Sequence, residues 1–148
     1  VICMNQAEKP VELQLLISLN RVRNDIDRQL ARVLAKYGLT IGQYGVLEAL
    51  YVKGDLTVGE VQRKIFSTTG TIPLIIRNLE KRGYIERYTD EKDRRRSMLH
   101  LTTPLGQAVI EEALPSSRQF VIEAMSSWSA NDKARLLDLL KKYESRQQ

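Results

Sequence analysis

Cysteine is nearly absent from this chain: Cys3 is the only one in 148 residues. A single thiol closes no intramolecular disulfide and builds no zinc site by itself. Histidine is as scarce, with His100 alone, inside the alternating apolar run SMLHL. A Ser–His–Asp or Cys–His catalytic group would have to use that one ring. Catalysis needs positioned acid–base groups, and no such constellation can be assembled from these residues. The expectation is no enzyme, no metal and no cofactor, with His100 an ordinary strand residue. Long apolar runs are missing too; none approaches the roughly 20 residues that a bilayer crossing requires. The start, VICMNQAEKP, lacks the basic n-region and apolar stretch of a secretory leader. No membrane partner and a cytoplasmic location are expected.

What the chain does have is ordinary globular composition, 43% hydrophobic and 28% charged, which suits a single domain with its own core. The net charge is +5, and its placement matters more than its size. Residues 53–100 hold 11 Lys/Arg against 7 Asp/Glu, so most of the excess falls in the middle third. A localised basic excess points toward a polyanion such as nucleic acid.

Periodicity predicts the framework. Over residues 11–37, Leu15, Leu19, Val22, Ile26, Leu30, Val33 and Tyr37 recur on one helical face, and Gly38 supplies a stop. Such a long amphipathic helix needs a surface to cover it, either the core or a second copy. Thr40 and Gln43 form a capping-box pattern ahead of Val46, Leu47 and Leu50. Thr57 and Glu60 repeat it ahead of Val61 and Ile65. A third helix follows in STTGTIPLIIRNLEKRG, with Ile72, Ile75 or Ile76, and Leu79 inward. With Thr71 as its N-cap, Pro73 is harmless in the first turn; a start at Thr69 would cost a backbone bond there. Three short helices joined by tight turns suggest a helix-turn-helix. The period then changes: YIERY and SMLHL are β-prone and flank DEKDRRR, a hairpin with a charged tip. A helix-turn-helix followed by a hairpin is a winged helix. Beyond it, Thr103 is expected to cap a helix opened by Pro104, Pro115 to kink or break it, and Ser129 to cap a last helix carrying Leu136, Leu137, Leu140 and Tyr143. The fold class is mainly α with a small β-hairpin.

A duplex offers phosphates to neutralise and base edges to read. Thr68, Thr69 and Thr71 crowd the first turn of the third helix. Thr71, Leu74, Arg77, Asn78 and Lys81 face outward if the isoleucines face in. Asn78 could bond an adenine, and Arg77 a guanine or a phosphate. At the wing tip, Asp93 can pair with Arg95 across the turn and aim it at a narrow minor groove. Arg94 and Arg96 point the other way, toward phosphates.

These residues resemble the MarR/SlyA family of transcriptional regulators. The wing fits that family's D-x-R-x-x-x-x-x-L-T pattern at Asp93, Arg95, Leu101 and Thr102. TTGTIPLIIRNLEKRGYIER is similar to its recognition helix and first wing strand, and LTVGEV to the helix before. The resemblance implies a homodimer on a pseudo-palindromic operator, most often a repressor. It implies a winged lobe over 39–103 and dimerisation helices over 11–37 and 104–146, in a single domain over 1–148. It also implies release from double-stranded DNA by a small phenolic or lipophilic anionic effector. Leu16, Tyr37, Tyr44 and Tyr51 are the candidate pocket residues. Some members sense oxidation through a first-helix cysteine, but Cys3 lies ahead of that helix and has no activating neighbour. The alternative is a winged helix used for protein interaction or nonspecific chromosome binding.

Overall fold

A computed structural model describes residues 10–65 and 71–147. Cys3, Thr68 and Thr69 lie outside them. Among the described residues, six α-helices and three strands run in the order α1 (Val11–Ala35), α2 (Ile41–Lys53), β1 (Leu56–Thr57), α3 (Val58–Ile65), α4 (Ile72–Lys81), β2 (Ile85–Thr89), β3 (Ser97–Leu101), α5 (Leu105–Ala124) and α6 (Ala130–Glu144). A 3-10 turn, Ser145–Gln147, follows.

Local chemistry sets most of the boundaries. Gly38 turns the chain out of α1 at φ +68°, in the region where a side chain would be strained. Thr40 accepts from Gln43 N–H while the Gln43 side chain accepts from Thr40 N–H, closing both sides of the α2 cap. Thr57 with Glu60 does the same for α3, and Ser129 with Asp132 for α6. Thr71 is the N-cap residue of α4, so Pro73 falls in the first turn, where its missing N–H had no helical partner to lose.

Three expectations need correction. The hairpin is part of a three-stranded antiparallel sheet, ordered β1-β3-β2, with Leu56 opposite Leu99 and Ile85 opposite Leu101. The two residues of β1 are too few to show a strand period. Thr103 makes no cap bond to the backbone of α5. Thr102, one residue earlier, accepts from Gly106 N–H at 3.0 Å and donates to Gly83 C=O at 2.7 Å. Finally, α5 runs unbroken through Pro115. The turn after the proline is anchored on both sides: Ser116 Oγ lies 2.5 Å from Tyr37 OH, and Ser117 Oγ 2.6 Å from Tyr44 OH. Contacts of this kind, with the packing of α5 on α1 and α2, offset the roughly 3 kcal/mol of an internal proline.

One core joins these elements. Leu47 and Leu50 of α2, Val61 of α3, Ile72, Ile76 and Leu79 of α4, Ile85 and Leu99 of the sheet, and Ile110 of α5 are all buried. Gly106 seats α5 on this core: a Cβ there would stand 2.0 Å from the Tyr84 carbonyl oxygen. The N-terminal half of α1 and all of α6 behave differently. Leu15, Leu16, Leu19 and Val22 are exposed, as are Leu137, Leu139, Leu140 and Tyr143, and α6 buries no residue.

Candidate nucleic-acid interface and effector cleft

Helix α4 turns Ile72, Ile76 and Leu79 inward, and their spacing leaves Leu74, Arg77 and Lys81 on the opposite face. Leu74 is 65% exposed. Arg77 and Lys81 are exposed and have no ion-pair partner among the described residues. Asn78 sits on the flank toward α2 and accepts a hydrogen bond from Gln43 Nε2 at 3.0 Å. On the other flank, Arg87 of β2 donates through Nε to Glu80 Oε1 at 3.1 Å and through Nη2 to Oε2 at 3.4 Å, fastening the wing to the helix.

The wing tip is a compact turn. Asp90 N–H donates to the Arg96 carbonyl at 3.0 Å, and Arg96 N–H to the Asp93 carbonyl at 2.9 Å. The Asp93 carboxylate accepts the backbone N–H of Arg95 at 3.1 Å. This differs from the expected pairing of Asp93 with the Arg95 guanidinium. A short acidic side chain two residues upstream reaches the backbone more readily than a long side chain folds back to it. Asp93 therefore shapes the loop that carries Arg95. The guanidinium itself has no ion-pair partner among the described residues, and neither has that of Arg94. Arg96 is the exception to the expected trio. It lies 3.8 Å from Glu60 at the start of α3 and 3.9 Å from Asp90, in a partly exposed network. Glu60 is held below its ordinary carboxyl range, first by the Thr57 N–H that it caps and further by Arg96.

His100 has a role that its position in the sequence does not show. Its Nδ1 lies 2.8 Å from Asp55 Oδ1, and Tyr88 OH donates to Asp55 Oδ2 at 2.6 Å. Asp55 thus ties both wing strands to the turn before α3. Burial raises the Asp55 pKa, but the bonds from Tyr88 and His100 outweigh it and leave the carboxyl below its ordinary value. The same contact raises the Tyr88 hydroxyl.

Two apolar depressions flank Tyr44. One, of about 440 Å³, lies between α1, α2 and α5, with Leu30, Val121 and Ile122 as its apolar wall and Arg118 at its edge. The other, of about 520 Å³, extends toward α3 past Ile41, Val52 and Ile65, with Lys53 and Lys64 at its edge. Tyr44 OH also donates to Glu48 at 3.2 Å; burial first, then the nearby Glu48 charge, raises its pKa. Of the four residues expected to line a pocket, Tyr44 alone lines these two. Tyr37 is engaged by Ser116, Tyr51 donates to Glu111 at 3.2 Å, and Leu16 is on the uncovered half of α1. Leu30, Val121 and Arg118 were missed because they meet Tyr44 only across α1, α2 and α5. Among the described residues no cluster of His, Cys, Asp and Glu could hold a metal, and no helix is long and apolar enough to cross a membrane.

An outward helix and a braced basic hairpin on a three-stranded sheet define a winged-helix DNA-binding regulator. Residues 39–97 match the MarR family model. The transcriptional activatory protein BadR of Rhodopseudomonas palustris is 31% identical over 144 residues, covering 93% of this chain and 82% of BadR. The regulator MhqR of Bacillus subtilis is 27% identical over 130 residues, covering 88% and 89%. Among solved structures, a point mutant of MarR from E. coli in complex with operator DNA superposes with a TM-score of 0.79 at 25% identity, over 95% of this chain and 99% of that one. The chain belongs to the MarR family of transcriptional regulators.

Proposed function

We propose that the chain acts as a homodimer on a pseudo-palindromic operator, as a repressor that leaves DNA when a small effector binds. The observation that carries the DNA reading is the distribution of cations. Arg87 and Arg96 are paired, while Arg77, Lys81, Arg94 and Arg95 are exposed and have no ion-pair partner among the described residues. In this reading α4 enters the major groove through Leu74, Arg77, Asn78 and Lys81, and Thr68, Thr69 and Thr71, which precede it in the sequence, add contacts to the same DNA. Arg95 enters the minor groove, and Arg94 takes a phosphate. Arg96 keeps its acidic partners and steadies the wing.

The winged lobe is assigned to residues 39–103 and the dimerisation region to 11–37 and 104–146. The uncovered apolar faces of α1 and α6 support this, because a second copy would remove them from water. Lipophilic phenolic ligands suit the depressions around Tyr44, which have apolar walls and are lined by Arg118, Lys53 and Lys64 as well as by Glu48, which accepts from Tyr44 OH. Selection of bound sites from a random duplex pool, with and without phenolic ligands, tests the whole reading. A palindromic consensus that is lost with ligand is expected. Equal affinity for a scrambled half-site would instead favour the nonspecific chromosome-binding alternative.

A further inference from the structure

The polarity of one hydrogen-bond chain beside α4 is fixed by groups that can only donate. Thr40 N–H and Arg82 Nη1 both reach Gln43 Oε1, at 3.0 and 3.5 Å. The Gln43 amide must therefore turn its oxygen toward them and its nitrogen away. That nitrogen, also only a donor, meets Asn78 Oδ1 at 3.0 Å. Arg82 is itself held: Nη1 donates to Gly38 C=O at 2.7 Å, Nη2 to Tyr84 OH at 3.2 Å, and its guanidinium lies 4.6 Å from the centre of the Tyr84 ring. Asn78 thus has its oxygen turned inward. Its Nδ2 has no hydrogen-bond partner among the described residues, and the side chain is exposed on the flank of α4.

The geometry points to Gln43 as a positioning residue that presets Asn78 as a hydrogen-bond donor toward DNA. The inference rests on the docking of α4 proposed above. A donor-only amide fits an acceptor: guanine N7 or O6, adenine N7, thymine O4, or a phosphate oxygen. It does not fit adenine in the bidentate way, which needs the asparagine oxygen as well as the nitrogen. The adenine contact that the sequence suggests for Asn78 is thereby narrowed to a single bond to adenine N7. Gln43 reads nothing itself; it acts through Asn78 and touches it from another helix.

The test is selection from a random duplex pool with the full-length protein, its Gln43→Glu variant and its Asn78→Asp variant. The carboxylate introduced by Gln43→Glu keeps an acceptor for Thr40 and Arg82 but offers Asn78 only oxygen, so the asparagine amide turns over. If Asn78 reads a base, one position in each half-site moves from acceptor edges (guanine, thymine O4 or adenine N7) to donor edges (cytosine N4 or adenine N6), so that G or T there gives way to A or C, and a wild-type A gains C as an alternative. If it holds a phosphate, no letter changes and affinity falls about tenfold on every sequence, the scale of one lost contact. Asn78→Asp presents oxygen outward while leaving the α2 cap intact, and it shifts the same readout in the same direction. It decides the matter alone should Gln43→Glu fail to fold. A folded Gln43→Glu protein with wild-type consensus and affinity overturns the assignment, as does an unaltered Asn78→Asp. A wild-type protein that selects no consensus, and whose affinity is unmoved by Arg77→Ala, overturns the docking of α4 and this inference with it.

Discussion

The segment from α2 to β3 buries most of its large aliphatic residues among those described, and α6 buries none. Leu79 of α4 is 0% exposed and Leu139 of α6 is 65% exposed. Both helices carry leucines at helical spacing, so the sequence pattern alone treats them alike. What separates them is what lies opposite. Leu79 lies in the core that α4 shares with α2 and the sheet of its own chain, whereas α6 buries none of its residues. In the proposed reading the lobe is complete as a single chain, and a second copy completes the terminal helices.

The sharpest way to break that contrast is at α6. Leu139→Glu with Leu140→Glu should leave the lobe folded and yield a monomer in sedimentation. DNA affinity should fall about a hundredfold or more, because the second half-site no longer binds intramolecularly. A dimeric double variant would refute the assignment of α6. Leu79→Ala probes the other side. It should cost about 3 kcal/mol in denaturant unfolding, as buried leucine truncations do. Far less loss would mean that the lobe is loosely packed. Arg95→Ala sharpens the role of the wing tip: in binding titrations over a salt series, each lost phosphate contact lowers the log–log slope by about 0.9. An unchanged slope and affinity would remove Arg95 from the interface.

The smallest effect concerns Asp55. Its folded-state pKa lies below its ordinary value of 3.8, so on acidification the unfolded chain takes up the proton first. The stability that it contributes is present above that value and is lost as the pH falls through the lower folded pKa. Asp55→Asn should flatten the acid side of a melting-temperature profile below about pH 4. The change is small, since the side chain is a third exposed and screened by water. A variant profile parallel to wild type would mean that the Tyr88–Asp55–His100 link contributes nothing.

These regions also divide what could be read in advance. Caps are local: Thr40 with Gln43, Thr57 with Glu60 and Ser129 with Asp132 sit three residues apart, and the structure keeps all three. The inward stripe of α4 was legible for the same reason. Bonds between distant segments were not. Nothing near His100 announces Asp55, 45 residues away, and nothing near Asn78 announces Gln43. Pro115 failed as a breaker because local propensity is overruled when both neighbouring serines are anchored to tyrosines from elsewhere. The wing shows an intermediate case. Its turn was readable from the acidic and basic residues at its tip. The atoms that Asp93 engages were not, since the pattern does not distinguish a carboxylate on a backbone N–H from one on a guanidinium.

Thr102 is where these parts are riveted together. Its hydroxyl joins the end of β3, the turn after α4 and the first turn of α5 within one hydrogen-bond set. The 20 residues of α5 project from that rivet as an arm about 30 Å long. A tilt of one degree about the rivet displaces the far end by only about half an ångström over that length. Read in reverse, a shift of an ångström beside Val121 and Ile122 corresponds to a rotation of about two degrees over that length, which the Tyr37–Ser116 and Tyr44–Ser117 contacts halfway along the helix resist.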